Sequence, residues 1–173
     1  CLDPRHYEST AYGFKKTEKY RSQFLLESLS DLKANLDTLN IDLLVYQNQP
    51  EAIIPEVCET YNITDIYLQN EWTTEEVTIE NNLKDKLPHI NWTSINEQFL
   101  YHSDDINMEI DNIPQVFTVF RKQIEKAVKI RDVLSIEKQS EANRIENKTK
   151  VPTIQDLGFI DFEPHPHSAF PFK

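Results

Sequence analysis

Glycine is nearly missing from this chain: Gly13 and Gly158 are the only two in 173 residues, where about 7% would be ordinary. Neither a GxGxxG turn nor a Walker loop can be written with two isolated glycines, so glycine-rich phosphate cradles are excluded. Cysteine is as scarce, with Cys1 and Cys58 alone. No disulfide framework and no CxxC pair for zinc or thiol redox work is available, and a reduced intracellular, cytoplasmic setting is expected. No run of about 18 apolar residues occurs and mean hydropathy is -0.57, which excludes a membrane-spanning helix and gives no membrane partner. Positive charge is in deficit: 18 Lys+Arg stand against 29 Asp+Glu, a net of -11. Phosphate backbones are gripped by releasing their counterions, so this acidic surface as a whole is a poor match for nucleic acid. Three Asn-x-Thr triplets, at Asn62, Asn91 and Asn147, are expected by chance in so Asn-rich a chain, and no signal peptide accompanies them.

What is present is a modest core, 39% hydrophobic and 10% aromatic, enough for one globular domain. Over residues 17–40, Leu25, Leu29, Leu32, Leu36 and Leu39 recur in steps of four and three. That spacing predicts one apolar stripe along a helix, with Phe24 and Leu26 beside it. Residues 41–46 (Ile-Asp-Leu-Leu-Val-Tyr) predict a short buried strand. Pro50 suits the first turn of a second helix carrying Ile53, Ile54, Val57, Cys58 and Tyr61. Residues 65–68 predict the next strand, and Thr73-x-x-Glu76 has the form of a capping box opening a helix that Pro88 stops. Residues 90–95 predict a third strand and 99–101 a fourth, short one. Pro114 is expected to open a last helix, with Val116, Phe117, Phe120, Ile124 and Val128 inward. Residues 137–150 are charged and nearly free of large apolar groups, which predicts a mobile linker, followed by an irregular Pro- and aromatic-containing tail. Strands alternating with helices predict an α/β fold, a doubly wound parallel sheet of Rossmann-like type covered on both faces. Ligands are then expected at the carboxyl ends of the strands. The chain opens on Cys1-Leu2-Asp3-Pro4-Arg5, which reads as the end of a strand whose body is missing, so the expectation is a piece of a longer protein.

Several groups of residues carry chemistry, each with a plain alternative. Gln69-Asn70-Glu71-Trp72-Thr73-Thr74 falls just past a strand's carboxyl end and before a helix. There Glu71 can hydrogen-bond a donor-rich heterocycle and Trp72 can stack on a flat ring; an ordinary strand-to-helix loop, with its acid favouring the positive helix end, is the alternative. His165-Pro166-His167 brings two imidazoles together, but a metal site needs three or four convergent ligands, so no metal is expected. Tyr101-His102-Ser103-Asp104-Asp105 sets a histidine near carboxylates without a nucleophile, which reads as a turn with capping acids. Lys15, Lys16, Lys19 and Arg21, interleaved with Tyr12, Phe14 and Tyr20, suit either a backbone-phosphate contact or a helix lead-in. No residues are expected to be catalytic.

Read together, these segments resemble the amino-terminal antenna domain of the DNA photolyase and cryptochrome family, most closely the DASH-type cryptochromes. The resemblance rests on stretches in one order: Asp3-Pro4-Arg5; Gly13-Phe14-Lys15-Lys16-Thr17 with Tyr20-Arg21-x-Gln23-Phe24-Leu25-Leu26-Glu27-Ser28-Leu29; Asn70-Glu71-x-x-x-Glu75-Glu76; Leu100-Tyr101-His102-Ser103-Asp104-Asp105; Ile113-Pro114-Gln115-Val116-Phe117-Thr118-x-Phe120-Arg121-Lys122; and Val151-Pro152-Thr153-Ile154-Gln155-Asp156-Leu157-Gly158. It implies an antenna domain over residues 1–134, lacking the family's first, central strand, and an interdomain linker and tail over 135–173. It implies a parent that is a deoxyribodipyrimidine photo-lyase or blue-light receptor, with FAD held in a carboxy-terminal helical domain that also makes the main DNA contacts. Methenyltetrahydrofolate is the implied antenna chromophore of this domain. Carried over by position, Glu71 resembles the acid that hydrogen-bonds the pterin, with Trp72 and Thr74 as neighbours lining the cleft. A stand-alone α/β interaction or small-ligand-binding module without enzymatic activity is the alternative.

Overall fold

The computed structural model describes residues 1–163, so His165 and His167 lie outside the described residues. The chain divides into two compact units, Cys1–Glu56 with Ile136–Lys173, and Val57–Ser135.

In the first unit a short 3-10 turn, Pro4–His6, is capped by Asp3, whose carboxylate accepts from the Arg5 backbone N–H at 2.9 Å. The long helix α1 spans Lys19–Thr38. It ends where Asn40 turns into the left-handed region at φ 58, with the Ile41 N–H donating to the Leu36 carbonyl and the Asn40 N–H to the Asp37 carbonyl. This two-bond stop favours Gly or Asn, and in a chain with two glycines Asn takes the role. The inward face of α1 is centred on Leu26, with Leu25 and Leu29 packed against a core of Leu2, Tyr7, Leu26, Val45, Ile154 and Leu157. The predicted stripe is therefore rotated: Leu26 is buried while Leu32 and Phe24 are exposed.

Two expectations for this unit are corrected. Residues 41–46 form no strand ladder; beside the Ile41 N–H bond that closes α1, a backbone bond reaches them from the Leu2 N–H to the Tyr46 carbonyl, at 2.7 Å. Their remaining partners are largely side chains, which do not build a ladder. Nor are residues 137–150 a mobile linker. The Gln139 N–H donates to the Leu39 carbonyl, the Asn40 amide to the Gln139 carbonyl, and Arg144 reaches both Asp37 and Asp42, at 2.5 and 3.1 Å. The segment lacks large apolar residues because polar bonds fix it, and the apolar anchors Ile154 and Leu157 come only afterwards. Phe159 and Phe162 then meet Tyr7 and Tyr20 edge-on. Leu157→Ala in the full-length polypeptide is expected to lower unfolding stability by about 2–4 kcal/mol in a urea titration, the cost of a core cavity. A loosely held tail would show almost no change.

The helix α2, Pro50–Tyr61, begins in the first unit and ends in the second. Asn62 at φ 51 closes it as Asn40 closes α1, with the Ile63 N–H on the Cys58 carbonyl. Within the second unit β1 (Asp65–Gln69) pairs in parallel with β2 (Asn91–Ile95), Asp65 opposite Asn91 through Gln69 opposite Ile95. Helix α3, Thr74–Lys86, makes the crossover between them, with Leu83 buried and Leu87 buried just past its end. The α/β class with parallel strands holds, and among the described residues the ladder is this β1–β2 pair.

Three local expectations change in this unit. Thr73 caps α3 by backbone position but its hydroxyl makes no capping bond, so the capping box is not formed. Residues 99–101 are a bend. The last helix, α4, starts at Phe117 and runs to Ala127, because Pro114 is followed by two residues, Gln115 and Val116, that stay outside the helix. On it Ile124 is buried while Val116 and Phe117 are exposed, so only the carboxy-terminal half of the predicted inward face is covered. Among the described residues no helix is long and apolar enough to cross a membrane.

Candidate functional site

Two loops leave the carboxyl ends of β1 and β2 side by side. Parallel pairing dictates this, since adjacent strands pointing the same way deliver their exits to one edge. The pairing continues one step past the strands: the Asn70 N–H donates to the Ile95 carbonyl at 2.8 Å. Side chains then tie the loops together. The Asn70 amide donates to the Asn96 side-chain oxygen at 2.8 Å, and Gln69 caps the Ile95 carbonyl at 2.9 Å.

Glu71 sits at the centre of this arrangement, half-buried. Its Oε1 accepts from the Gln98 amide at 2.9 Å, which fixes the carboxylate and leaves the second oxygen's lone pairs for other donors. The next residue on each loop forms a stack: Trp72 and Phe99 have ring centroids 5.3 Å apart at 26°. Both are largely exposed, Trp72 at 54% and Phe99 at 60%, so the pair offers a broad aromatic face to solvent. Thr74 is the first residue of α3 and exposed. One turn into the helix, Glu76 keeps its Oε2 buried with no hydrogen-bond partner among the described residues. A buried carboxylate oxygen without a donor is costly. The chemistry these loops can offer is recognition: a held carboxylate and a flat apolar face. There is no paired nucleophile and base.

Of the predicted residues, Glu71 and Trp72 lie in these tied loops and Thr74 at the helix start just beyond. Gln98 and Phe99 are not singled out as site residues by the sequence, and Asn70 enters there only as part of the Gln69–Thr74 loop. A signal was available: in a strand–helix–strand unit the residues just past the second strand must neighbour those just past the first, which marks 96–99. The other candidates take their plainer readings. His102 caps a 3-10 turn, Ser103–Asp105, its Nδ1 accepting from the Asp104 N–H at 3.2 Å. Asp105 is held by two guanidinium nitrogens of Arg131, Nε and Nη2, at 2.6 and 2.8 Å, a pairing that keeps its carboxyl below the usual range. Lys15 lies over the Phe159 ring at 4.3 Å and Lys19 over Tyr20 and Phe162 at 5.1 Å each, so two of the four clustered cations are engaged within their own unit. Cys58 is buried, which pushes its thiol up and away from reactivity. Among the described residues no group of three or more His, Cys, Asp or Glu could hold a metal ion.

A strand–helix–strand unit with parallel strands, and with aromatic and acidic loops at their carboxyl ends, defines an α/β domain. Comparison with known proteins takes the assignment further. The DNA photolyase family model matches residues 1–142, and the chain belongs to that family, as its amino-terminal α/β region. It is 35% identical over 164 residues to cryptochrome DASH of Gloeobacter violaceus, covering 91% of this chain and 32% of that protein. It is 34% identical to cryptochrome DASH of Danio rerio, covering all of this chain and 34% of that protein. The crystal structure of a Synechocystis cryptochrome superposes with a TM-score of 0.80 at 33% identity, over 99% of this chain and 36% of that one. An archaeal photolyase from Sulfolobus tokodaii, crystallised with two FAD molecules, shares the fold at a TM-score of 0.65 and 16% identity. The chain thus spans about a third of the length of these relatives.

Proposed function

We propose that this chain is the antenna-chromophore domain of a light-driven, FAD-dependent DNA photolyase or DASH-type cryptochrome, acting from the cytoplasm. The observation that carries the reading is the clamp between the loops after β1 and β2, in which Gln98 holds Glu71 and Phe99 backs Trp72. Methenyltetrahydrofolate would suit that surface. Its pterin edge is rich in N–H donors for Glu71, and its flat rings match the Trp72 face, with Thr74 at the margin. When bound, such a chromophore absorbs near-ultraviolet light and passes the energy to a flavin. This domain's own residues hold and orient the chromophore and do no bond chemistry.

The remaining two-thirds of the full-length protein supply the FAD-binding helical domain as partner, and DNA is contacted through it. A net charge of -11 on this part accords with that division of labour. The test is to purify the full-length protein in the dark and record its absorption spectrum before and after adding methenyltetrahydrofolate. Copurification of a yellow flavin, with a near-ultraviolet band that builds on adding folate, is the expected result. A colourless full-length protein would refute the assignment, and a flavin-loaded protein that takes up no folate would refute the antenna role alone.

A further inference from the structure

Residues 41–46 are the most strand-like stretch of the first unit by composition, yet they carry no ladder. On one edge their backbone groups are taken by side chains. The Asn147 side-chain amide donates to the Leu43 carbonyl at 2.9 Å. The Val45 N–H donates to the Thr149 hydroxyl oxygen, also at 2.9 Å. The Thr149 hydroxyl in turn donates to the Asn147 side-chain oxygen at 2.7 Å, and the Thr149 N–H reaches the same atom at 2.9 Å.

Those bonds close a ring with a recognisable pattern. In a parallel sheet, the residue opposite position i donates its N–H to the carbonyl of i−1 and accepts at its carbonyl from the N–H of i+1. With Leu44 as position i, the Leu43 carbonyl and Val45 N–H are those two groups. Asn147 supplies the donor and Thr149 the acceptor. We propose that the Asn147-Lys148-Thr149 turn is a side-chain surrogate for one residue of a neighbouring parallel strand, and that it seals the edge of residues 41–46 against pairing with a second copy of this chain.

The surrogate differs from a real strand in one respect that matters. A backbone strand would offer its own far side for further pairing, whereas an amide and a hydroxyl end the row. Open edges of largely apolar sequence template association with like edges, and Ile41-Asp42-Leu43-Leu44-Val45-Tyr46 is apolar apart from Asp42 and Tyr46. The flanking bonds hold the turn in register: the Ile145 N–H donates to Asp42 at 3.0 Å, Arg144 grips Asp37 and Asp42, and the Lys33 ammonium donates to the Thr149 carbonyl at 2.9 Å. The second copy is the natural occupant of an unsealed edge because the identical segment is present at equal concentration and pairs in register with itself. Asn147 is also the acceptor residue of one of the three Asn-x-Thr triplets, and here its amide is committed to the fold.

The test uses the full-length protein and reads amide exchange at Val45 by mass spectrometry or NMR, alongside mass by light scattering across a concentration series. Slow exchange at Val45 is expected in the unaltered protein despite the missing ladder; exchange at the rate of an open loop overturns the proposal without any variant. Thr149→Val, which keeps the shape and removes the hydroxyl, is expected to speed Val45 exchange about tenfold, as loss of one hydrogen bond does. Thr149→Ser is expected to restore it. Asn147→Ala with Thr149→Val is expected to give a concentration-dependent dimer, while Lys148→Ala, whose ammonium pairs with Glu146, stays as the parent. A folded double variant that remains monomeric at all concentrations overturns the guarding role, and unchanged Val45 exchange in Thr149→Val overturns the surrogate bond.

Discussion

Glu71→Gln in the full-length protein is expected to lower folate occupancy about tenfold or more while leaving the fold intact. The substitution keeps the shape of the side chain and one acceptor oxygen, so the Gln98 amide still finds its partner at the 2.9 Å position. What is lost is the charge on the acceptor and its second carboxylate oxygen, replaced by an NH2 that faces the ligand's donors. Hydrogen bonds to a charged acceptor contribute about 1.5–3 kcal/mol, and a donor meeting a donor adds a penalty to their loss. The ratio of folate to flavin absorbance in the purified variant reads the effect directly, and flavin content controls for folding. An unchanged ratio would remove Glu71 from the chromophore site. Gln98→Leu separates orientation from recognition: it leaves the carboxylate and frees it, so a smaller loss is expected than for Glu71→Gln.

The same site shows how far the sequence alone could be read. Strand, loop and helix around Glu71 were legible because apolar residues 66 and 68 alternate with polar ones, and because Pro88 marks the end of the helix that follows. Phe99 was misplaced into a strand: a short aromatic run has strand propensity, but here the rings are needed on Trp72 and the backbone bends. The capping box failed for a reason no pattern reveals, since Thr73 and Glu76 have the right types at the right spacing while the Thr73 hydroxyl makes no cap bond. Residues 137–150 were misread because their anchoring is polar and long-range. Asn147 bonds residue 43 and Arg144 bonds residues 37 and 42, separations of about a hundred positions. Hydrophobic periodicity carries no trace of such bonds. The reading of 41–46 as a strand had the right composition, and on one edge its partners come as two side chains.

Arg5→Met is expected to destabilise the protein by about 2 kcal/mol at neutral pH, with the loss shrinking as the solution is acidified. Asp3 is nearly sealed from water, its side chain 5% exposed, and lies 2.5 Å from an Arg5 nitrogen; Glu51 meets the same guanidinium at 2.8 Å. Burial opposes ionisation of Asp3, but the hydrogen bonds and charge of Arg5 outweigh it and hold the carboxyl below its usual range. Glu51 is held low chiefly by its own bond from Arg5. Both therefore stabilise the native state above the ordinary carboxylate range, near pH 4, and that contribution is lost as pH falls through their lowered values. Removing Arg5 reverses the sign for Asp3: a buried carboxylate without a cation prefers its proton, so the variant recovers relative stability on acidification while the parent loses it. Breaking a fully buried pair costs about 3–5 kcal/mol; the smaller figure reflects Arg5, whose side chain is 38% exposed and already shares its charge with water. Urea titrations of parent and variant from neutral pH down to about pH 2 give the comparison. Parallel curves, with a constant gap at every pH, would mean that Arg5 acts by packing alone and that the Asp3 charge is stabilised by other groups.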